Sequence, residues 1–443
     1  MQREKELGFW MCTALVVGNI IGMGIFVLPA SLAPYGFNAL LGWGITVVGM
    51  SILARVFARL ARDFPQADGP YDYIRNNVGD AAAFVALWCY WISVFVTNAA
   101  LAIGAVGYLA EIVPTFKSVP PALPALAMIW LFVAINLTGA RSGGWVQIVT
   151  TVLKLLPMVA IIALGAWLLL SDPQEFTRQP PATPISFKDL LAASTVALFA
   201  MLGIESATIP AGRVRDPERT IPRSTMAGTL LTAAIYVAVS SMAILLIPQD
   251  QLARSSAPFV DLLDRFVGHA NGQWLAAFVV VSGLGALNGW TLLVGELTRS
   301  LAVQGVLPHG LARLNRRGAP AVALIVTGAL ASALTLMNYS KSLVQGFTFL
   351  TQVVTAANLP LYLFCAYALV RLWQRSGRVP TKTRPGRDVL VLGVLGTAYS
   401  VFALAGLGRE PFLWSLALAA AGLPVYIVMR RRERQGTSVS PVD

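Results

Sequence analysis

The sequence predicts an all-α membrane protein of about twelve transmembrane helices. Three observations carry this. First, hydrophobic residues make up 56% of the 443 and charged residues only 12%, with a mean hydropathy of +0.68. A soluble domain carries about 25% charge, so this chain cannot cover a water-facing surface. Second, the apolar residues fall into windows of about 20, the length that crosses a hydrocarbon core of about 30 Å. Third, Lys and Arg gather between alternate windows. A soluble enzyme, a disordered chain and a secreted disulfide scaffold are excluded.

The windows run over 8–33, 38–61, 82–113, 121–139, 144–170, 190–212, 224–247, 273–304, 319–337, 342–370, 388–407 and 411–429. Each must be helical, because lipid offers no partners to backbone N–H and C=O groups. Met1–Leu7 is charged. The apolar run after it is too long and Gly-rich for a leader and has no clear A-x-A site, so no cleavable signal peptide is expected. The Pro-rich 172–189 stretch reads as an outer connection, and Arg213–Arg223 as a charged cytoplasmic loop that anchors span 6 and serves an inner gate.

With the N-terminus placed inside, inner loops and termini hold 25 of the 33 Lys and Arg and outer loops hold seven; Lys154 lies within a span. That asymmetry explains the net charge of +12 topologically and predicts both termini in the cytoplasm. One span more or fewer would dissolve it. Cys12, Cys89 and Cys365 lie in apolar runs without CxxC spacing, and His269 and His309 fall in separate loops, so neither a metal site nor a disulfide is read. No cofactor is expected. There is no GxxxxGK[ST] run for ATP coupling and no HExxH.

Two spans are interrupted. Span 1 reads Gly18-Asn19-Ile20-Ile21-Gly22-Met23-Gly24-Ile25-Phe26. Span 6 reads Met201-Leu202-Gly203-Ile204-Glu205-Ser206-Ala207-Thr208, with Pro210 and Gly212 beyond. These are the first helices of two five-span halves, 1–5 and 6–10. Matching interruptions point to inverted repeats with a polar site at mid-membrane. The plainer reading is that glycine allows close helix packing. At a break, N–H and C=O groups lose their helical partners, which is costly in a bilayer. The positive end of one half-helix suits a carboxylate, and freed carbonyls accept from an ammonium. Two facing breaks would hold an α-amino acid through backbone alone, with Gly22 and Gly24 allowing its close approach.

Charged residues inside spans are functional candidates by default. Glu205 sits in the span 6 interruption, where it is a candidate for proton binding; the alternative is a neutral carboxyl bonded to frayed backbone. Lys154 lies mid-span 5, with snorkelling to an interface as its alternative. Glu296 stands three residues before Arg299, which suggests a structural i,i+3 pair. Asn19 and Asn288 are candidates to cap or bridge breaks. Trp10, Trp274 and Trp414 read as an interfacial belt.

The GNIIGMGIF stretch, LFAMLGIESATIPAG, VRDPERTIPRST and NGWTLLVGELTRSLAVQGVLP together resemble the amino acid–polyamine–organocation (APC) superfamily, in particular its basic amino acid/polyamine antiporter group. The resemblance covers nearly the whole chain. It implies the APC (LeuT-like) fold: twelve helices with a 5+5 inverted repeat and broken helices 1 and 6. Residues 1–170 would form the first repeat, 190–370 the second, and 388–443 helices 11–12 with a cytoplasmic tail. Function would be alternating access in the cell inner membrane, with a small amino acid or amine as substrate. Membrane lipid would be the surrounding partner, with a homodimer open to it and no nucleic acid.

By that resemblance Ile20, Met23 and Gly24 meet the substrate's carboxylate and amine, and Phe199 and Leu202 lie over the amine. Ser93, Val94 and Asn98 line the side-chain pocket, Trp290 covers the distal group, and Tyr90 is an outer neighbour. An aromatic face suits a guanidinium or ammonium and equally an aliphatic chain. Phe199 stands where arginine/agmatine antiporters carry Trp, and the family's pocket hydroxyl falls on Val353. Glu205 would couple protons to the gate. Lys154 would replace the sodium ion of sodium-coupled cousins, donating to span 1 carbonyls. Exchange of a cationic amino acid for its amine, arginine for agmatine, is the first expectation. Neutral amino acid exchange or proton symport is the alternative, favoured by Lys154, Phe199 and Val353. A channel or a membrane enzyme fits less well: no repeated filter segment or intramembrane His or Asp-pair cluster is present.

Overall fold

A computed structural model describes residues 8–64, 69–139, 143–178, 180–204, 216–376 and 386–434; their regular structure is all helix, without a strand. The first window contains two helices, α1 (Phe9–Ile20) and α2 (Gly24–Leu32). Then follow α3 (Phe37–Asp63), α4 (Pro70–Asn77), α5 (Asp80–Ile112), α6 (Ala122–Leu137) and α7 (Gly143–Ser171). The one-turn α8 (Glu175–Arg178) precedes α9 (Phe187–Leu198). Next come α10 (Pro217–Leu246), the short α11 (Gln249–Leu252) and α12 (Pro258–Phe266), and α13 (His269–Val303). The chain ends with α14 (Ala321–Met337), α15 (Leu343–Ser376), α16 (Arg387–Ala405), α17 (Arg409–Ala420) and α18 (Gly422–Arg434).

Among the described residues, eight helical stretches are long and apolar enough to cross a membrane. Phe9–Gly18, Gly24–Tyr35, Ala122–Leu137 and Ala321–Met337 are apolar but shorter. Every predicted window contains helix, and the boundaries moved for a physical reason. Hydropathy does not register charged helix ends: α10 begins at Pro217, seven residues before its window, with Pro at its first turn where the missing N–H costs nothing. The connecting helices α4 and α12 were not predicted.

α5 is the axis of the molecule. It is about 50 Å long at 1.5 Å per residue, its apolar window is 94% buried, and it packs along α13 and α15. The Arg409–Met429 stretch is only 11% buried and stands at the periphery. Its outward apolar face suits lipid.

Side-chain bonds place α9 against α3. Ser186 caps α9: its hydroxyl accepts from the Asp189 N–H at 3.1 Å and donates to the Asp189 carboxylate at 2.6 Å. Asn38 donates to Pro184 O and accepts from Ser186 N–H, and Thr46 donates to Ser194 O at 2.8 Å. The backbones nearly touch at Gly42, where a Cβ would come within 2.8 Å of Ser194 N. On the other side, Tyr108 of α5 donates to Phe26 O at 2.7 Å and so fixes α2. Thus both helical segments around the interruptions are held by neighbours that are themselves buried.

Candidate functional site

Helix α1 stops at Ile20. Ile21 is extended (φ −73, ψ 103), and the helix resumes at Gly24. A helix end leaves carbonyls without intrahelical donors and carries partial negative charge. Here donors come from two other helices. Tyr236 of α10 donates its hydroxyl to Ile20 O at 3.0 Å, and the Lys154 ammonium of α7 donates to Gly18 O at 3.3 Å. Lys154 is buried, and it meets the negative pole of a half-helix rather than a carboxylate. The first N–H groups of α2, at Gly24 and Ile25, have no helical acceptor for the same geometric reason.

The second interruption faces the first. After Leu198 one 3₁₀ turn covers Phe199–Met201. Leu202 is then extended (ψ 153), and Gly203 has φ +106, a conformation that side-chain-bearing residues rarely adopt. The Phe199 ring lies directly on Gly24: a Cβ there would sit 2.6 Å from Phe199 Cε1. Phe199 also meets Phe347 of α15 edge-on, with centroids 6.1 Å apart. Glycine at 24 is therefore needed for an aromatic ring to cover the break.

Between the interruptions lies a cavity with about 30 Å³ of free space, room for a water molecule or two. Ile20, Gly22, Gly24 and Ile25 line it from the first break, and Phe199, Ala200 and Leu202 from the second. Ser93, Thr97 and Leu101 of α5 form one wall; Tyr236, Trp290, Val354 and Asn358 close it. None of these side chains carries a charge. An amino acid would need the aromatic cover to move before it could enter.

Of the residues expected here, Ile20, Gly24, Ser93, Phe199, Leu202 and Trp290 line the cavity. Met23, Val94, Asn98 and Val353 are buried but outside its lining. Met23 turns to α5 and α13, where its Sδ would be 2.7 Å from a Cβ at Gly283. On α5 the lining residues are Ser93 and Thr97 instead of Val94 and Asn98, and on α15 Val354 instead of Val353. A step of one residue turns a helix by about 100°, enough to take a side chain off the facing stripe. Tyr90 is buried outside the lining; its carbonyl accepts from Ser93 Oγ at 2.7 Å. Glu205, Arg213 and Arg215 lie outside the described residues, as does the Asn19 side chain.

Asn358 is a residue that sequence reasoning missed. Its Nδ2 approaches Ser93 Oγ at 3.5 Å, and its buried Oδ1 has no hydrogen-bond partner among the described residues. An amide inside an apolar run was the available signal. Tyr236 offered none, since a tyrosine in a span is commonplace. Glu296 pairs with Arg299 at 3.8 Å across one turn, as expected. Asn288 of α13 accepts from Asn136 of α6 at 2.9 Å, a bond between two continuous helices. Among the described residues no His, Cys, Asp or Glu cluster could hold a metal ion.

The family described as amino acid permease matches residues 7–428. The chain belongs to that family. It is a multi-pass membrane protein of the APC superfamily, whose members are transporters and not enzymes. This permease is 29% identical to the putrescine transporter PotE of Haemophilus influenzae over 425 residues, covering 96% of this chain and 97% of that one. It is 31% identical to a Bacillus subtilis protein provisionally named an arginine/ornithine antiporter, over 96% of this chain and 97% of the other. It is 29% identical to the cadaverine/lysine antiporter of Escherichia coli, over 99% and 98% of the two chains. The resemblance to the basic amino acid/polyamine antiporter group is thereby met by whole-length relatives, and the permease is an amino acid transporter of that group.

Proposed function

We propose that this permease exchanges a cationic amino acid for its decarboxylated amine, arginine for agmatine or a close analogue, by proton-sensitive alternating access across the cell inner membrane. The observation that carries the reading is the pair of helix interruptions facing each other across an aromatic-covered cavity that is uncharged among the described residues. The N–H groups of α2 suit an α-carboxylate, and the carbonyls around Leu202 and Ile20 suit an ammonium. Trp290 offers a π face to a distal cation. The relatives' substrates, all diamines or dibasic amino acids, fit the same cavity chemistry.

In this reading twelve spans form two inverted five-helix repeats, 1–170 and 190–370, with helices 11–12 outside them and both termini in the cytoplasm. Lys154 supplies a fixed cation at the negative pole of α1, a place where other carriers bind a cation from solution. Glu205 carries the proton linkage. The substrate's side chain lies between α5, α13 and α15, against Ser93, Thr97, Trp290 and Asn358. Asn358 Oδ1 is an acceptor for a guanidinium or amine N–H.

A second reading, exchange of neutral amino acids, draws on the uncharged lining and on Lys154. Reconstitution separates the two. Vesicles preloaded with agmatine, putrescine or cadaverine are expected to take up labelled arginine, lysine or ornithine at least tenfold faster than empty vesicles. Alanine and leucine should not compete. Competition by alanine or leucine with no effect of the basic compounds would overturn the cationic reading, and equal uptake into empty vesicles would overturn exchange.

A further inference from the structure

A second concavity lies at the end of the bundle where α3 finishes and α10 begins. It is an open groove of about 740 Å³ and, among the described residues, shares no lining residue with the central cavity. Five arginines converge on it: Arg55, Arg59 and Arg62 from α3, and Arg219 and Arg223 from α10. On each helix the spacing of three or four residues puts them on one face, so two arginine rows look across one groove.

Among the described residues, Arg59 is the one of the five that has carboxylate partners. It pairs with Asp63 at 2.8 Å and with Asp388 at 3.1 Å. Among the described residues no carboxylate lies within ion-pair distance of Arg55, Arg62, Arg219 or Arg223. Arg62 stands in the last turn of α3, where a helix favours a cation. Arg219 stands in the first turn of α10, where the helix dipole opposes one. Topological bias accounts for basic residues at a membrane end; it does not choose their positions on the helices, which here bring four exposed guanidinium groups to the lining of one groove. An anion in the groove is attracted by all four and relieves the unfavourable placement of Arg219.

The rest of the lining says what kind of anion. Phe9, Met226, Leu230 and Leu392 continue the groove as an apolar surface. Leu230 is 11 residues beyond Arg219, about 16 Å further along α10 at 1.5 Å per residue. It is 45% exposed. A free phosphate or a nucleotide has no use for such a wall. A molecule with a phosphate at one end and hydrocarbon over the next 16 Å matches the groove along its length. Basic pockets between helices at a membrane surface recognise anionic lipid headgroups by this charge logic.

We propose that the groove is a binding site for an anionic phospholipid: its phosphate sits among Arg55, Arg62, Arg219 and Arg223, and an acyl chain runs over Phe9, Met226, Leu230 and Leu392. The site is independent of which substrate the permease carries.

The test uses the full chain purified in a neutral detergent, with native mass spectrometry and thermal unfolding as readouts. Phosphatidylglycerol should bind and raise the melting temperature. Phosphatidylcholine of the same acyl chains should do neither, and neither should inorganic phosphate or glycerol 3-phosphate at equal concentration. Arg219→Gln/Arg223→Gln should weaken phosphatidylglycerol binding at least tenfold, and Arg55→Gln/Arg62→Gln provides the same test from the other wall if the first pair does not fold. A control pair far from the groove, Arg254→Gln/Arg265→Gln, should leave binding unchanged. Undiminished phosphatidylglycerol binding in either groove variant would overturn the proposal. Equal stabilisation by inorganic phosphate would overturn it in favour of a soluble-anion site, and equal binding of phosphatidylcholine would reduce it to ordinary hydrocarbon contact.

Discussion

The central cavity and the arginine groove meet ions in opposite ways. The cavity has about 30 Å³ of free space and, among the described residues, no charged side chain in its lining; its polar groups are helix ends, two hydroxyls of α5, one phenol, one indole and one amide. The groove has about 740 Å³ and five guanidinium groups. Fixed dipoles at a helix end carry about half a charge each and need no counter-ion when the ligand leaves. Full charges hold harder, and several of them add their attraction to one anion. A carrier that must release its cargo on both sides is better served by the first design. A site that keeps one ligand resident is better served by the second.

The largest test of this contrast is steric. A side chain at Gly24 collides with the Phe199 ring, and the cavity has no spare volume to absorb it. Gly24→Ala should cut exchange in proteoliposomes at least a hundredfold while the protein stays monodisperse. Adding Phe199→Ala should restore part of the rate. Full activity in Gly24→Ala would mean the ring is free to leave and does not form the cover.

Electrostatics comes next. Lys154→Met takes away the donor to Gly18 O and leaves a buried carbonyl unpaired, a cost of about 1–3 kcal/mol. Exchange should fall roughly tenfold or more, since that figure spans about one to two factors of ten. Unchanged turnover and melting temperature would show that the ammonium is a bystander. The smallest effect is expected for Tyr236→Phe, which keeps the ring and removes one neutral bond to Ile20 O worth about 1 kcal/mol. A few-fold loss of exchange with unchanged expression is the expected result, and a loss as large as that of Gly24→Ala would assign the hydroxyl a direct place on the substrate.

Much of this was legible before any coordinates. Hydropathy located helix in all twelve windows, because apolar length is what a bilayer selects. The glycine runs marked both interruptions, because a helix without side chains there is weak. Lys154 stood out because a charge in an apolar span needs a reason. Rotation was the hidden part: whether Thr97 or Asn98, Val354 or Val353, faces the cavity depends on how α5 and α15 pack, and a fraction of a turn decides it. Tyr236 was invisible because its partner is a carbonyl 216 residues away. The groove arginines were read as orientation signals, since their convergence is a property of two helices meeting.

The stub of α1 is clasped from outside on two carbonyls of its last turn, by a phenol from one helix and an ammonium from another. Two helices thus share the burden of satisfying one helix end, so that loss of either donor alone still leaves the other bond in place.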